Sequence, residues 1–188
     1  MRKSFIVLLA LTVCIAMPLM AQDKEMAKKE DMAKKEDMAA MHAPPPPLDN
    51  EYLSWMVGEW KGWSEGAMGK SEDWMKCTMD FGGQFMMTEY KADSPMGEWT
   101  GGGAYTLNQE GEIVAFWIDS RRTMATGKGT LDGDTMTVHW ESKMGNGTRI
   151  TTKISDDKFV VTSKMEMGGQ VMESKSEMTR VKEMTEKN

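Results

Sequence analysis

Glycine-containing turns recur along this chain roughly a dozen residues apart, and that spacing constrains the fold more than any motif. They fall at 66–69, 82–83, 101–103, 111, 133, 145–147 and 168–169, and Asp156-Asp157 marks one more break. Between them lie runs rich in Trp, Val, Ile, Thr, Met and Phe, which predict strands at 59–64, 72–80, 84–92, 99–107, 112–119, 123–131, 134–142, 147–154, 158–166 and 170–181. Evenly spaced strands with tight turns make an antiparallel meander, and a meander removes its exposed edges by closing on itself. The expected fold is therefore all-β: an antiparallel up-and-down barrel of about ten strands. One short helix is expected before it, from Asn50 to Met56 with Asp49 as its cap, presenting Tyr52, Leu53 and Met56 as an apolar patch.

The 48–188 segment is long enough to bury a core as one domain. What precedes it is of a different kind. Residues 1–21 have a basic start at Arg2 and Lys3, an apolar stretch from Phe5 to Met17, then Pro18 and a small Ala21. That is the layout of a secretory signal peptide cut before Gln22, and it predicts an exported protein, periplasmic or secreted. The apolar stretch is shorter than the ~20 residues of a spanning helix, so no stable membrane insertion is expected. Leu11-Thr-Val-Cys14 offers a competing lipoprotein reading, with a bulky Val13 where a small residue is wanted. Residues 22–47 hold a hexad, Met26-Ala-Lys-Lys-Glu-Asp repeated from Met32, followed by Pro44 to Pro47. Six residues do not match the 3.6-residue helical period, so no apolar stripe builds up, and a solvated, disordered leader is expected.

Charge excludes one class of partner. The formal net charge is −6, and it becomes −8 once Arg2 and Lys3 leave with the signal, which argues against nucleic acid. Of the two cysteines only Cys77 lies in the mature chain, so no internal disulfide can form and the fold stands on packing.

Alternation along the strands separates faces without saying which is inside. In 134–142, Met136, Val138 and Trp140 oppose Thr135, Thr137, His139 and Glu141. In 147–154, Thr148, Ile150, Thr152 and Ile154 oppose Arg149, Thr151 and Lys153. Strand 112–119 is apolar on both faces, which predicts that a helix or end-cap covers it. A ligand-holding barrel can have a mixed inner face, so polarity alone does not assign the interior.

One ordered set of residues resembles a known family. Leu53-x-x-x-Val57-Gly58-x-Trp60-x-Gly62, Trp74, Gly82-Gly83-x-Phe85, Gly103-Ala-Tyr105, Trp117-Ile-Asp119-Ser120 and Glu177-x-x-Arg180 are similar to the domain of unknown function 1579 family, over essentially all of 50–182. The resemblance implies a calycin-like barrel, akin in shape to lipocalins and fatty-acid-binding proteins, with a small-molecule cavity. It also implies that Trp60 plugs the barrel base rather than touching ligand.

The leading expectation is non-catalytic binding of a small apolar or amphipathic molecule, with no cofactor. Its anchors would be Arg149 and Arg121, because a guanidinium can hold a carboxylate bidentately, and Trp117 and Tyr90 would supply walls. Arg149 has a plainer alternative: pointing to solvent and pairing with Glu141 or another acid across the sheet, a contact worth under about 1 kcal/mol. Asp119-Ser120-Arg121-Arg122 lacks the surroundings of an activated nucleophile and reads as a turn with a solvated salt bridge, so no enzyme is expected. His42 and His139 are the only histidines, and none follows 142, which counts against haem held by histidine. Methionine is abundant at 22 residues, 15 of them in 48–188 beside only four leucines. Most would replace leucine as core filler, and Cys77 reads as a buried small hydrophobe. The sharper alternative is a copper(I)-binding protein using Met165 and Met167; a third is an envelope interaction module with no ligand. Ligand identity and oligomeric state have no sequence signature.

Overall fold

The computed structural model describes residues 26, 28–29, 31–32, 34–35, 38, 44–67 and 69–182. It divides into two units, Met1–Pro45 and Pro46–Asn188. In the first, the described residues at 26–38 are helical and exposed, and Lys35 Nζ lies 3.1 Å from Asp31 Oδ2 one turn away. The signal peptide expected at 1–21, the cleavage point expected before Gln22 and Cys14 lie outside the described residues.

The second unit begins with helix α1 (Glu51–Met56) and continues as ten strands. These are β1 (Gly58–Gly66), β2 (Gly69–Asp80), β3 (Phe85–Ser94), β4 (Gly97–Leu107), β5 (Ile113–Asp119), β6 (Met124–Asp132), β7 (Thr135–Ser142), β8 (Gly145–Ser155), β9 (Lys158–Met167) and β10 (Gln170–Arg180). Each pairs antiparallel with its neighbours in sequence, and β1 closes the ring on β10 with Trp60 opposite Arg180. The up-and-down order follows from the turns. At Gly168-Gly169 both residues take positive φ, 58° and 77°, the sense of turn that matches the twist of adjacent antiparallel strands.

Helix α1 closes one end. Its cap is Asn50, not Asp49: the Asn50 side chain accepts from Leu53 N at 3.0 Å, because it stands immediately before the first helical residue and so reaches the third helical N–H. Tyr52 donates to the Thr151 carbonyl at 2.9 Å, and Trp55 Nε1 to the Asp156 carbonyl at 2.9 Å. Trp60 is fully buried beneath the helix and donates to the Met56 carbonyl at 2.9 Å. Arg180 lies over its ring at 4.1 Å and donates to the Val57 carbonyl at 2.7 Å and the Trp55 carbonyl at 2.6 Å. Trp55 and Phe159 complete an edge-to-face cluster around Trp60, with centroids 5.4 and 4.8 Å away. Trp60 thus forms the base of the barrel. Cys77 is also buried in this core, where burial pushes its thiol up to about 11.

Two further sequence expectations need correction. Strand β5 is not covered on both faces: Ile113 and Ala115 are buried, while Val114, Phe116 and Ile118 are 39%, 43% and 47% exposed on the outer wall. The reason is that α1 packs over the barrel end around Trp60 and Phe159, leaving the side wall open. The glycines at 101–103 are not a turn either. They lie within β4, where Gly101 pairs with Tyr90 and Asp119, and Gly103 with Thr88 and Trp117.

Candidate functional site

Inward-facing positions enclose a cavity of about 480 Å³ that reaches the end opposite α1, where Gly66, Ser94 and Met144 border it. Arg149, Arg121, Trp117 and Tyr90 all line it, as do Met165 and Met167. The structure therefore brings together side chains from four separate stretches of sequence, around 90, 117–121, 149 and 165–167. A more open depression of about 660 Å³ on the outer wall, around Trp63 and Ile150, is lined mainly by polar side chains, among them Lys164 and Glu173, which pair with each other at 3.6 Å.

The orientation of β8 decides where Arg149 points. Thr151 is buried and lines the cavity, so Arg149, two residues away, shares the inner face, while Ile150 and Ile154 are exposed outside. The plainer alternative for Arg149 is thereby overturned. Glu141 cannot pair with it, because Val138 and Trp140 put the inner face of β7 on the other parity. No ion pair among the described residues includes Arg149. Its charge is felt inside the barrel. Burial is the main cause that pushes the hydroxyls of Tyr52, Tyr90 and Tyr105 up, and Arg149 acts on each in the opposite sense. Arg121 differs: it sits exposed at the rim, in the turn after β5.

Among the described residues, no ion pair joins that turn to a guanidinium. Asp119 Oδ1 accepts from the backbone N–H of Arg121 at 2.9 Å and of Thr123 at 3.1 Å, and Ser120 Oγ accepts from Thr100 N at 3.2 Å. Backbone donors outcompete the arginines because they are already fixed by the turn, whereas long side chains must be ordered first.

An acid that the sequence reading missed lies on the opposite part of the wall. Asp73 is 4% exposed and accepts from Ser71 Oγ at 2.7 Å, from Ser64 Oγ at 3.3 Å and from the Tyr90 hydroxyl. Its position two residues before Met75 and four before Cys77 was the available signal, since all three share one face of β2. The network satisfies a buried carboxylate with hydroxyls and leaves the Arg149 guanidinium free of it. It also fixes Tyr90, whose hydroxyl is pushed up by burial and then by the Asp73 charge.

Tyr90 belongs to an aromatic group with Trp99 and Trp117: centroids are 5.4 Å apart for Tyr90–Trp99, 6.2 Å for Tyr90–Trp117 and 6.0 Å for Trp99–Trp117. The glycines of β4 make room for it. A Cβ added at Gly101 would stand 2.4 Å from Trp117 Cζ2, and one at Gly103 would stand 3.1 Å from Trp117 Cε3. Met165, Met167 and Met172 line the cavity on β9 and β10, with Met165 directly opposite Met172 across the strand pair. His139 is on the outer face, exposed and bonded to Thr148 at 2.9 Å.

A closed ten-strand antiparallel barrel with a helix before its first strand is a calycin-like fold. No family model matches the sequence. No curated protein matches it either. Among solved structures, the chain is similar to the S-type phycobiliprotein lyase CPES from Guillardia theta, with 13% identity, 70% of this chain and 92% of that chain covered, and a TM-score of 0.55. It is also similar to Rv2717c from M. tuberculosis, with 14% identity, 69% and 95% covered, and a TM-score of 0.58. At such identities these likenesses establish shared fold and nothing finer. Among the described residues, no helix is long and apolar enough to cross a membrane.

Proposed function

We propose that this protein is an exported, non-catalytic carrier that holds a small amphipathic anion inside its barrel. One observation carries the reading: an arginine faces a cavity of about 480 Å³ with no carboxylate paired to it among the described residues. A cation turned inward is costly unless something neutralises it, and a ligand carboxylate or phosphate would do so. Aromatic and thioether side chains around it offer surface to an apolar body. Cavity size suits such a molecule, since ligand pockets typically run from about 300 to 1,000 Å³. Export is supported by the three-part layout of residues 1–21.

The test is titration of the native protein and of Arg149→Met with a medium-chain fatty acid, followed by calorimetry. Loss of a charged hydrogen-bond pair should weaken binding about 10- to 100-fold. Equal affinity for both proteins removes Arg149 as the anchor.

A second reading rests on a different observation. Met165, Met167 and Met172 occupy adjoining inward positions toward the open end and are only half-buried, unlike the core methionines 75, 86, 136 and 178. Met165 also packs against the core, but Met167 and Met172 do not belong to it, and thioethers select copper(I). Competition with a copper(I) chelator, comparing the native protein with Met165→Leu/Met167→Leu, tests this: unchanged uptake in the double variant rejects it.

A further inference from the structure

The two sides of the cavity have different mechanical character, and the difference narrows the ligand class. Trp99 and Trp117 stand on β4 and β5, and Met165 and Met167 on β9. In the closed ring of ten, β4 and β9 are five strands apart, so these walls face each other across the barrel. The tryptophan wall is rigid. The six-membered ring of Trp117 fills the space that a side chain at Gly101 would need, and at Gly103 the Phe116 carbonyl and then the same ring leave no room for one, so the backbone of β4 backs the indole. Tyr90, held by buried Asp73, braces the two indoles from the side. The methionine wall is soft: unbranched thioethers conform to what lies against them and make favourable contacts with aromatic rings. A rigid aromatic surface facing an adaptable sulfur surface forms a slot.

We propose that the ligand is a flat, conjugated acid that stacks one face on Trp117 and turns the other toward Met165 and Met167, its anionic group on Arg149. The inference rests on the carrier reading and sharpens it. A saturated chain would gain apolar contact in the same cavity, but it could not use the quadrupole of an indole held at fixed orientation. Glycine at 101 then has a function: it keeps the indole back against the wall and leaves the slot open.

The experiment titrates the full-length protein with 1-pyrenecarboxylate and with palmitate, a saturated acid of nearly equal carbon count, by calorimetry. The native protein should bind the pyrene acid about tenfold more tightly. Trp117→Leu should remove most of that preference, weakening the pyrene acid about tenfold more than it weakens palmitate. Gly101→Ala retains Trp117 but presses a methyl into the place its ring occupies, and it should weaken the pyrene acid selectively. It supplies the answer if Trp117→Leu fails to fold. Palmitate binding as tightly as the pyrene acid, or both variants weakening the two ligands equally, overturns the flat-ligand inference while the carrier reading stands. Binding of neither acid overturns both.

Discussion

Replacing Trp60 with alanine should unfold the barrel long before it changes any binding surface. The indole is fully buried, and a tryptophan side chain removes roughly 150–250 Å² from water, about 4–6 kcal/mol at 25 cal/mol per Å² as an upper bound. Truncations of this kind cost about 3–5 kcal/mol. The surroundings place this one toward the upper end. Trp55, Phe159 and the Arg180 guanidinium all rest on the ring, and α1 is tied down independently through Tyr52 and Trp55, so little can collapse into the void. The Met56 carbonyl also loses its donor. Against a total stability of about 5–15 kcal/mol, the melting temperature should fall by roughly 10–20 °C for a domain of this size. Urea unfolding followed by far-ultraviolet circular dichroism is the appropriate assay, because tryptophan fluorescence is itself altered by the change. An unchanged midpoint with ligand binding abolished would refute the reasoning and move Trp60 from base to site.

Alkali should destabilise the fold in a defined window. Cys77 ionises near 9.0 when exposed and about 11 when folded, so between these values the folded state holds the extra proton and stability falls as pH rises. Tyr52, Tyr90 and Tyr105, each shifted upward mainly by burial, extend the decline. Urea midpoints measured across that range should drop, and Cys77→Val should remove the earliest part; a flat profile rejects the claim. Arg180→Lys keeps the charge but cannot reach the Trp55 and Val57 carbonyls together, so it should cost about 1.5–3 kcal/mol and speed amide exchange in α1, read by hydrogen exchange. Tyr90→Phe removes the donor to Oδ2 of buried Asp73, while Ser64 and Ser71 both serve Oδ1, and it should cost about 1–3 kcal/mol, measured by thermal melting; no change would refute a bonding role for the Tyr90 hydroxyl.

The strands were legible because period-two patterning and glycine turns are local signals, and those signals set boundaries to within a few residues along most of the barrel. The cavity was legible only as a set of candidates. Alternation on β8 separates Ile150 and Ile154 from Arg149 and Thr151, and hydrophobicity alone would turn the isoleucines inward. The barrel does the reverse, because the register of β8 between β7 and β9 fixes Thr151 opposite Met136 and Val161, both core residues. Long-range register overrides a local preference there. Gly101 and Gly103 misled for a related reason: glycine in a strand signals either a turn or a close neighbour, and the neighbour, Trp117, is brought in only by strand pairing.

Along the barrel axis the inner face changes composition in step with this division of labour. On β9 it runs from Phe159 and Val161, both 1% exposed, to half-buried Ser163, Met165 and Met167. On β10 it runs from buried Met178 to Ser176, Ser174 and Met172. On β1 and β2 the sequence is Trp60, then Ser64, and Cys77 and Met75, then Asp73 and Ser71. Close packing at the base and small hydroxyls toward the opening mean that stability and cavity are supplied by different residues of the same strands. Truncation cost should therefore depend on depth rather than on residue type. Phe159→Ala at the base should cost about 3–5 kcal/mol, and Met172→Ala near the opening under about 1 kcal/mol, because it leaves an open wall instead of a sealed void. Matched urea titrations of the two variants measure this directly. Similar losses at both depths would mean that the opening is as tightly packed as the base, and a barrel packed throughout has no room for the ligand that Arg149 calls for.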